Sequence, residues 1–143
     1  MYQHILVPTD GSEAVESAIR QAIDLARDLD AHIHALYVVD TATATAVPET
    51  QWSTMEDVIA DAGRRALEAV ASEAEAAGVP VTTAIRHGSP HEQILAATEA
   101  EDIDLVVMGT HGRSGLDRVL LGSVTEKVIR RSNVPVLVTR ITE

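Results

Sequence analysis

The sequence predicts an α/β domain, a single doubly wound five-stranded parallel sheet with helices on both faces. Three observations predict it. Short runs rich in Val, Ile and Leu alternate with longer stretches of helical period, the pattern of a parallel sheet covered on both sides. The order reads strand then helix five times, less the last helix, which fits the doubly wound strand order 3-2-1-4-5. Finally, 143 residues with 45% apolar and 23% charged side chains make one compact domain, 1–143, able to bury a core.

The expected strands are His4 to Pro8, His32 to Val39, Val81 to His87, Ile103 to Met108 and Val134 to Arg140. Between the first two, Ala14, Ala18, Ala22, Leu25 and Leu29 recur at helical spacing as one apolar stripe. The second helix is expected from about Thr54 to Ala77, opened by a capping box of Ser53 and Glu56 and closed by Gly78 before Pro80. A third begins at Ser89, with Pro90 at the first helical position and Glu92 reaching back, and runs to about Ala100. The last starts at the capping box of Ser123 and Glu126 and runs to about Ser132, with Asn133 ending it. Asp40 to Trp52 is longer than an ordinary connection and reads as a mobile loop or lid. Its Trp52 covers a ligand or anchors packing, and residue statistics favour the anchor.

Composition removes several function classes. With no cysteine there is no disulfide framework and no thiolate metal site. The start, Met1-Tyr2-Gln3-His4, has no basic region, and no run is long enough for a signal segment or a membrane span, so the expected location is the cytoplasm. A net charge of −11 repels phosphate backbones, and three aromatic residues cannot build a stacking platform, so nucleic acid is not an expected partner. The basic residues are ten Arg and one Lys, Lys127, on a surface otherwise dominated by Ala, Asp and Glu. That balance is shared by salt-adapted proteins and by products of GC-rich genomes, and both readings stay open.

Chemistry concentrates in one segment. Gly109, Gly112, Gly115 and Gly122 fall within fourteen residues, directly after a buried strand and before a helix. A phosphate chain needs convergent backbone N–H groups, unobstructed by β-carbons, beside the positive end of a helix. Gly109, Gly112, Gly122 and the Ser123 hydroxyl meet those demands. Open α/β sheets bind ligands at the carboxyl ends of their strands, where the turn Pro8-Thr9-Asp10-Gly11-Ser12 would also lie. The spacing, G-x2-G-x9-G-S, is neither the Walker A pattern nor the dinucleotide fingerprint.

That spacing, together with Ile5-Leu6-Val7-Pro8-Thr9-Asp10-Gly11-Ser12, Tyr37-Val38-Val39-Asp40, Met108-Gly109-Thr110-His111-Gly112-Arg113 and Asn133-Val134-Pro135-Val136, resembles the universal stress protein family nearly end to end. Within that family the glycine signature marks the branch that binds ATP. The resemblance implies an adenine nucleotide, ATP or else ADP or AMP, in a nucleotide-dependent stress-response or signalling module. It implies that Asp10 contacts the ribose, following Pro8 and Thr9, and that the Val38 backbone meets the adenine edge. It further implies that Gly109, Gly112, Gly122, Ser123 and Val124 surround the phosphates, with Met108, His111 and Arg113 beside them.

Each of these residues has a plainer role. Asp10 stands just before a helix with Glu13 three residues on, so capping is also open to it, and Ser123 is an ordinary N-cap residue whichever reading holds. His111 has no partner fixed by spacing, and a solvated loop histidine is the simpler reading than a general base. Arg113, Arg118, Lys127, the helix dipole and a divalent ion, Mg2+ or Mn2+ held through phosphate oxygens, are the candidates to offset a triphosphate. His32 and His34 share a strand face, but no carboxylate is placed with them, so no metal is expected from the protein alone. The acidic run Glu99, Glu101, Asp102, Asp104 reads as a solvated loop.

No residue is assigned as a catalytic base, so hydrolysis is expected to be slow or absent. The last strand, Val134 to Arg140, is apolar and would lie at a sheet edge that asks to be paired; the resemblance implies a homodimer through it. The competing reading is a nucleotide-free dimeric interaction module whose glycines only shape a tight loop. A phospho-receiver would need clustered acidic residues after the first strand and a lysine after the last, but the only lysine is Lys127 in a helix, and a flavin domain would want ring-stacking aromatics, which are nearly absent.

Overall fold

The computed structural model describes residues 2–41, 48, 52–109 and 122–140. Its five strands are β1 (His4–Pro8), β2 (His32–Asp40), β3 (Val81–Gly88), β4 (Leu105–Gly109) and β5 (Val136–Thr139). The helices are α1 (Glu16–Leu29), preceded by a 3-10 turn at Glu13–Val15, then α2 (Trp52–Ala76), α3 (Pro90–Ala100) and α4 (Ser123–Arg131). All strand pairs are parallel and the order is β3-β2-β1-β4-β5, as the sequence predicts.

Strand periodicity divides the core in two. Ile5, Val7, Ile33, Ala35, Leu105 and Val107 face α1 and α2, where they meet Ile19, Ile23, Leu67 and Val70. Leu6, Leu36, Val106 and Met108 point the other way, onto Ile94 and Ala97 of α3 and Val128 of α4. Strand β4 is buried at all five positions, which is why its sequence is an unbroken apolar run.

Several boundaries differ from expectation for local reasons. Ile103 and Asp104 precede β4, because their amides are taken by Thr98 O and His4 O. Val134 precedes β5, because its amide bonds the Ser132 hydroxyl at 3.1 Å in a closing turn. The buried stripe of α1 is Ala18, Ile19, Ala22, Ile23 and Ala26, rotated from the expected one, since the larger isoleucines take the core. Both predicted capping boxes around α2 and α4 fail. Ser53 lies inside α2, which starts at Trp52. At α4 the N-cap is Gly122, and Glu126 instead pairs with Arg130 at 2.8 Å. Ser89 is the α3 N-cap with Pro90 after it, but its hydroxyl contacts His91 Nδ1 at 3.2 Å, and neither it nor Glu92 closes a box. Ser132, not Asn133, is the C-cap of α4.

The acidic run also has a structural member. Asp104 accepts the Gln3 and His4 amides at 2.9 and 3.1 Å, fastening the start of β1 to the approach to β4. Residues 42–47 and 49–51 of the expected lid, and the side chain of Trp52, lie outside the described residues. None of the described helices is long and apolar enough to cross a membrane.

Candidate functional site

Parallel strands leave their carboxyl ends open between the loops that follow, and β1 and β4, adjacent at the centre of the sheet, send their chains to opposite faces. A cavity of about 550 Å3 lies at that point. It falls within the size range of small-molecule sites.

The first wall is the turn after β1. Thr9 is held by its amide to Leu36 O at 2.8 Å, and its hydroxyl accepts the Gly11 amide at 3.1 Å. Asp10 Oδ1 accepts both the amide and the hydroxyl of Ser12, at 3.0 and 2.6 Å. Gly11 closes this turn at φ 77°, in the left-handed region that a glycine enters at little cost. The carboxylate is therefore held at the rim within its own turn and does not cap a helix, since the N-cap of the 3-10 turn that follows is Ser12.

The opposite wall is the end of β4 and the start of α4. Thr125, buried, donates its hydroxyl to Gly109 O at 3.0 Å, and Thr139 donates to Met108 O at 3.4 Å. Two side chains thus pin the last carbonyls of β4. In α4 the Glu126 amide is the first to find an intrahelical partner, Gly122 O at 2.9 Å, so the amides of Ser123, Val124 and Thr125 are the donors that the helix itself leaves without a partner at its start. These donors and the helix dipole suit an anion.

Apolar side chains close the rest. Val15, Leu36 and Tyr37 form part of the lining, with Met55 and Ile59 from α2 and Ile94 from α3. Asp10 and Asp40 bring negative charge, while the described lining contains no Lys or Arg. Lys127 is exposed and does not reach the cavity.

Nine of the residues singled out in the sequence come together here: Pro8, Thr9, Asp10, Val38, Met108, Gly109, Gly122, Ser123 and Val124 all line the cavity. His111, Gly112 and Arg113, with Arg118, lie outside the described residues. Sequence reasoning missed Thr125 and the apolar lining. A buried Thr one turn into a helix carries no signal until its acceptor is known, and Tyr37, Met55 and Ile59 are indistinguishable in sequence from other core residues.

The model of the universal stress protein family matches residues 1–140. The chain belongs to that family. Universal stress protein MJ0531 of Methanocaldococcus jannaschii is 40% identical over 141 residues, covering 98% of this chain and 83% of the relative. Among solved structures, the protein MJ0577 superposes with a TM-score of 0.90 at 35% identity, covering 100% of this chain and 99% of the other. A universal stress protein in complex with cAMP superposes with a TM-score of 0.73 at 25% identity, covering 99% and 98%.

Proposed function

We propose that this universal stress protein binds an adenine nucleotide, ATP with Mg2+ or Mn2+, in the cavity between the turn after β1 and the start of α4. The observation that carries the reading is the convergence of Asp10, Gly109, Gly122 and Ser123 on one cavity at the carboxyl ends of the central strands. The relative solved with cAMP supports an adenine nucleotide as the ligand class.

In this reading the Asp10 carboxylate accepts the ribose hydroxyls and the Val38 backbone meets the adenine edge. The apolar lining from Leu36, Met55, Ile59 and Ile94 excludes water from the base. The N–H groups at the start of α4 and the Ser123 hydroxyl hold phosphate oxygens, with Gly109, Gly112 and Val124 around them and Met108 and Arg113 beside. Among the described residues no three His, Cys, Asp or Glu are placed to hold a metal, so the donor set suits an ion ligated by phosphate oxygens and water. When bound, that ion offsets triphosphate charge that Asp10 and Asp40 would otherwise repel.

The sequence supplies a phosphate cradle without an evident water-orienting group, which favours binding with slow or no hydrolysis. The protein would then act as a nucleotide-dependent stress-response or signalling module of the cytoplasm. We infer also a homodimer through β5, the edge strand on which Leu137 is 39% exposed. Isothermal titration with ATP and magnesium tests the nucleotide reading: saturable binding at one site per chain is expected. Absence of saturable binding of ATP, ADP and AMP would instead favour an interaction module that works without nucleotide.

A further inference from the structure

We propose that His4, His32 and His34 form a proton-sensitive latch, which ties the starts of β1, β2 and β3 together while the rings are neutral and loosens them on acidification. The register sets His4 opposite His32 and Leu6 opposite His34. The two-residue period of a strand then puts all three imidazoles on the sheet face that carries Leu6 and Leu36. His4 Nδ1 lies 3.0 Å from His34 Nε2, a contact from β1 to β2. The His32 ring stacks on that of His34 with centroids 4.5 Å apart, and its Nε2 meets Thr82 Oγ1 at 2.6 Å, a contact from β2 to β3.

Two ring nitrogens at that separation need one donor and one acceptor. A neutral pair in complementary tautomers, or a singly protonated pair whose neutral ring turns its lone pair to the N–H, supplies both. Double protonation leaves two N–H groups aimed at each other and two positive charges in contact. A charge on His32 would add a third, across the stacked face.

The surroundings favour the neutral state. Burial first, then the neighbouring imidazoles His32 and His4, hold His34 below the usual histidine value. Burial and His4 do the same for His32. Opposing them at His34 are two carboxylates, Glu101 just past the end of α3 and Asp104 before β4, and they are outweighed. Both oxygens of Asp104 are occupied by the Gln3 and His4 amides, and β3 contributes Thr82, which carries no charge. The sequence placed no carboxylate with these histidines; the fold brings these two near.

The direction follows from linkage. A histidine whose folded pKa is lowered leaves the unfolded chain with more bound protons as the pH falls. The stability the neutral cluster contributes is therefore full above about pH 6.5, is lost as pH falls from there through the lowered folded values, and levels off below them. The latch lies at the opposite ends of β1 and β2 from the cavity, so it stands whether or not the chain binds nucleotide.

The test is a nuclear magnetic resonance titration of the imidazole Cε1–H signals of the untagged chain, with amide hydrogen exchange at about pH 7.5 and pH 5.5. His32 and His34 should titrate below free imidazole. After correction for intrinsic exchange, the His32, Ile33 and Asp104 amides should open several-fold more at the lower pH, and His34→Gln should remove most of that increase. The proposal is overturned if His34 titrates at or above the free value, or if opening in the native chain is the same at both pH values. It is also overturned if the acid response persists in both His34→Gln and His32→Gln. Should the variants fail to fold, the native-chain titration still decides.

Discussion

Replacing Gly63 by alanine should destabilise the protein, although alanine is the better helix former. Gly63 lies within α2, buried against the ring of Tyr37 in β2. A β-carbon there would stand 2.5 Å from Tyr37 Cδ1, 2.8 Å from Cε1 and 2.9 Å from Cγ. Favourable carbon contacts are ~3.5–4.0 Å, so the overlap approaches an ångström. The three atoms belong to one rigid ring, and Tyr37 is only 3% exposed, so no small side-chain rotation clears it. Helix propensity alone would favour alanine by about 1 kcal/mol, whereas overpacking costs about 1–3 kcal/mol. Overlap wins, and Gly63→Ala should lose about 1 kcal/mol, or roughly 3 °C in Tm by circular dichroism. In the Tyr37→Leu background the ring is gone, and the same alanine should become neutral or stabilising, a coupling that a double-mutant cycle measures. Because α2 also carries Met55 and Ile59 into the cavity wall, its displacement should weaken nucleotide binding as well. A Gly63→Ala protein more stable than the native one, with its Tyr37 intact, would refute the reasoning.

Gly122 stands at φ −60°, a backbone conformation open to any residue, so Gly122→Val should abolish ATP affinity while leaving the far-ultraviolet spectrum nearly unchanged. Unaltered affinity would show that phosphates are not held at the start of α4. If β5 pairs two chains as proposed, Leu137→Glu puts charge on that exposed edge strand and should give a 15.3 kDa monomer by light scattering, where a dimer is expected of the native chain. A native monomer at micromolar concentration contradicts the pairing. Tm should rise with molar potassium chloride, because salt relieves the self-repulsion of a net charge of −11. The ion pairs it would screen, such as Arg20–Glu16 and Arg130–Glu126, are exposed and contribute little. A flat or falling Tm would reject salt adaptation.

The topology was legible because a strand buried on both faces must be an unbroken apolar run, and β4 is one. The site was half legible. Gly109, Gly122 and Ser123 announce themselves because main-chain access and a helix start have a residue signature, and Asp10 because it directly follows the first strand. Helix caps were read less well: Ser53 and Ser123 have capping-box partners at the right spacing, yet each lies one residue or more inside its helix. At α4 the pairing of Glu126 with Arg130 competes with the box, which spacing alone does not weigh. The role of Thr125 and the contacts of the three histidines stayed hidden for another reason. Their partners, Gly109 O, Thr82 and Asp104, come from other strands or connections, so the meaning of each side chain depends on register, which the sequence of one strand does not carry.

A crystal grown with ATP and magnesium examines the central proposal most directly. Adenine density should lie near Val38, ribose hydroxyls within hydrogen-bond distance of Asp10, and phosphates at the amides that open α4. Nucleotide bound elsewhere on the protein, or a saturated crystal whose cavity holds no nucleotide, would contradict it.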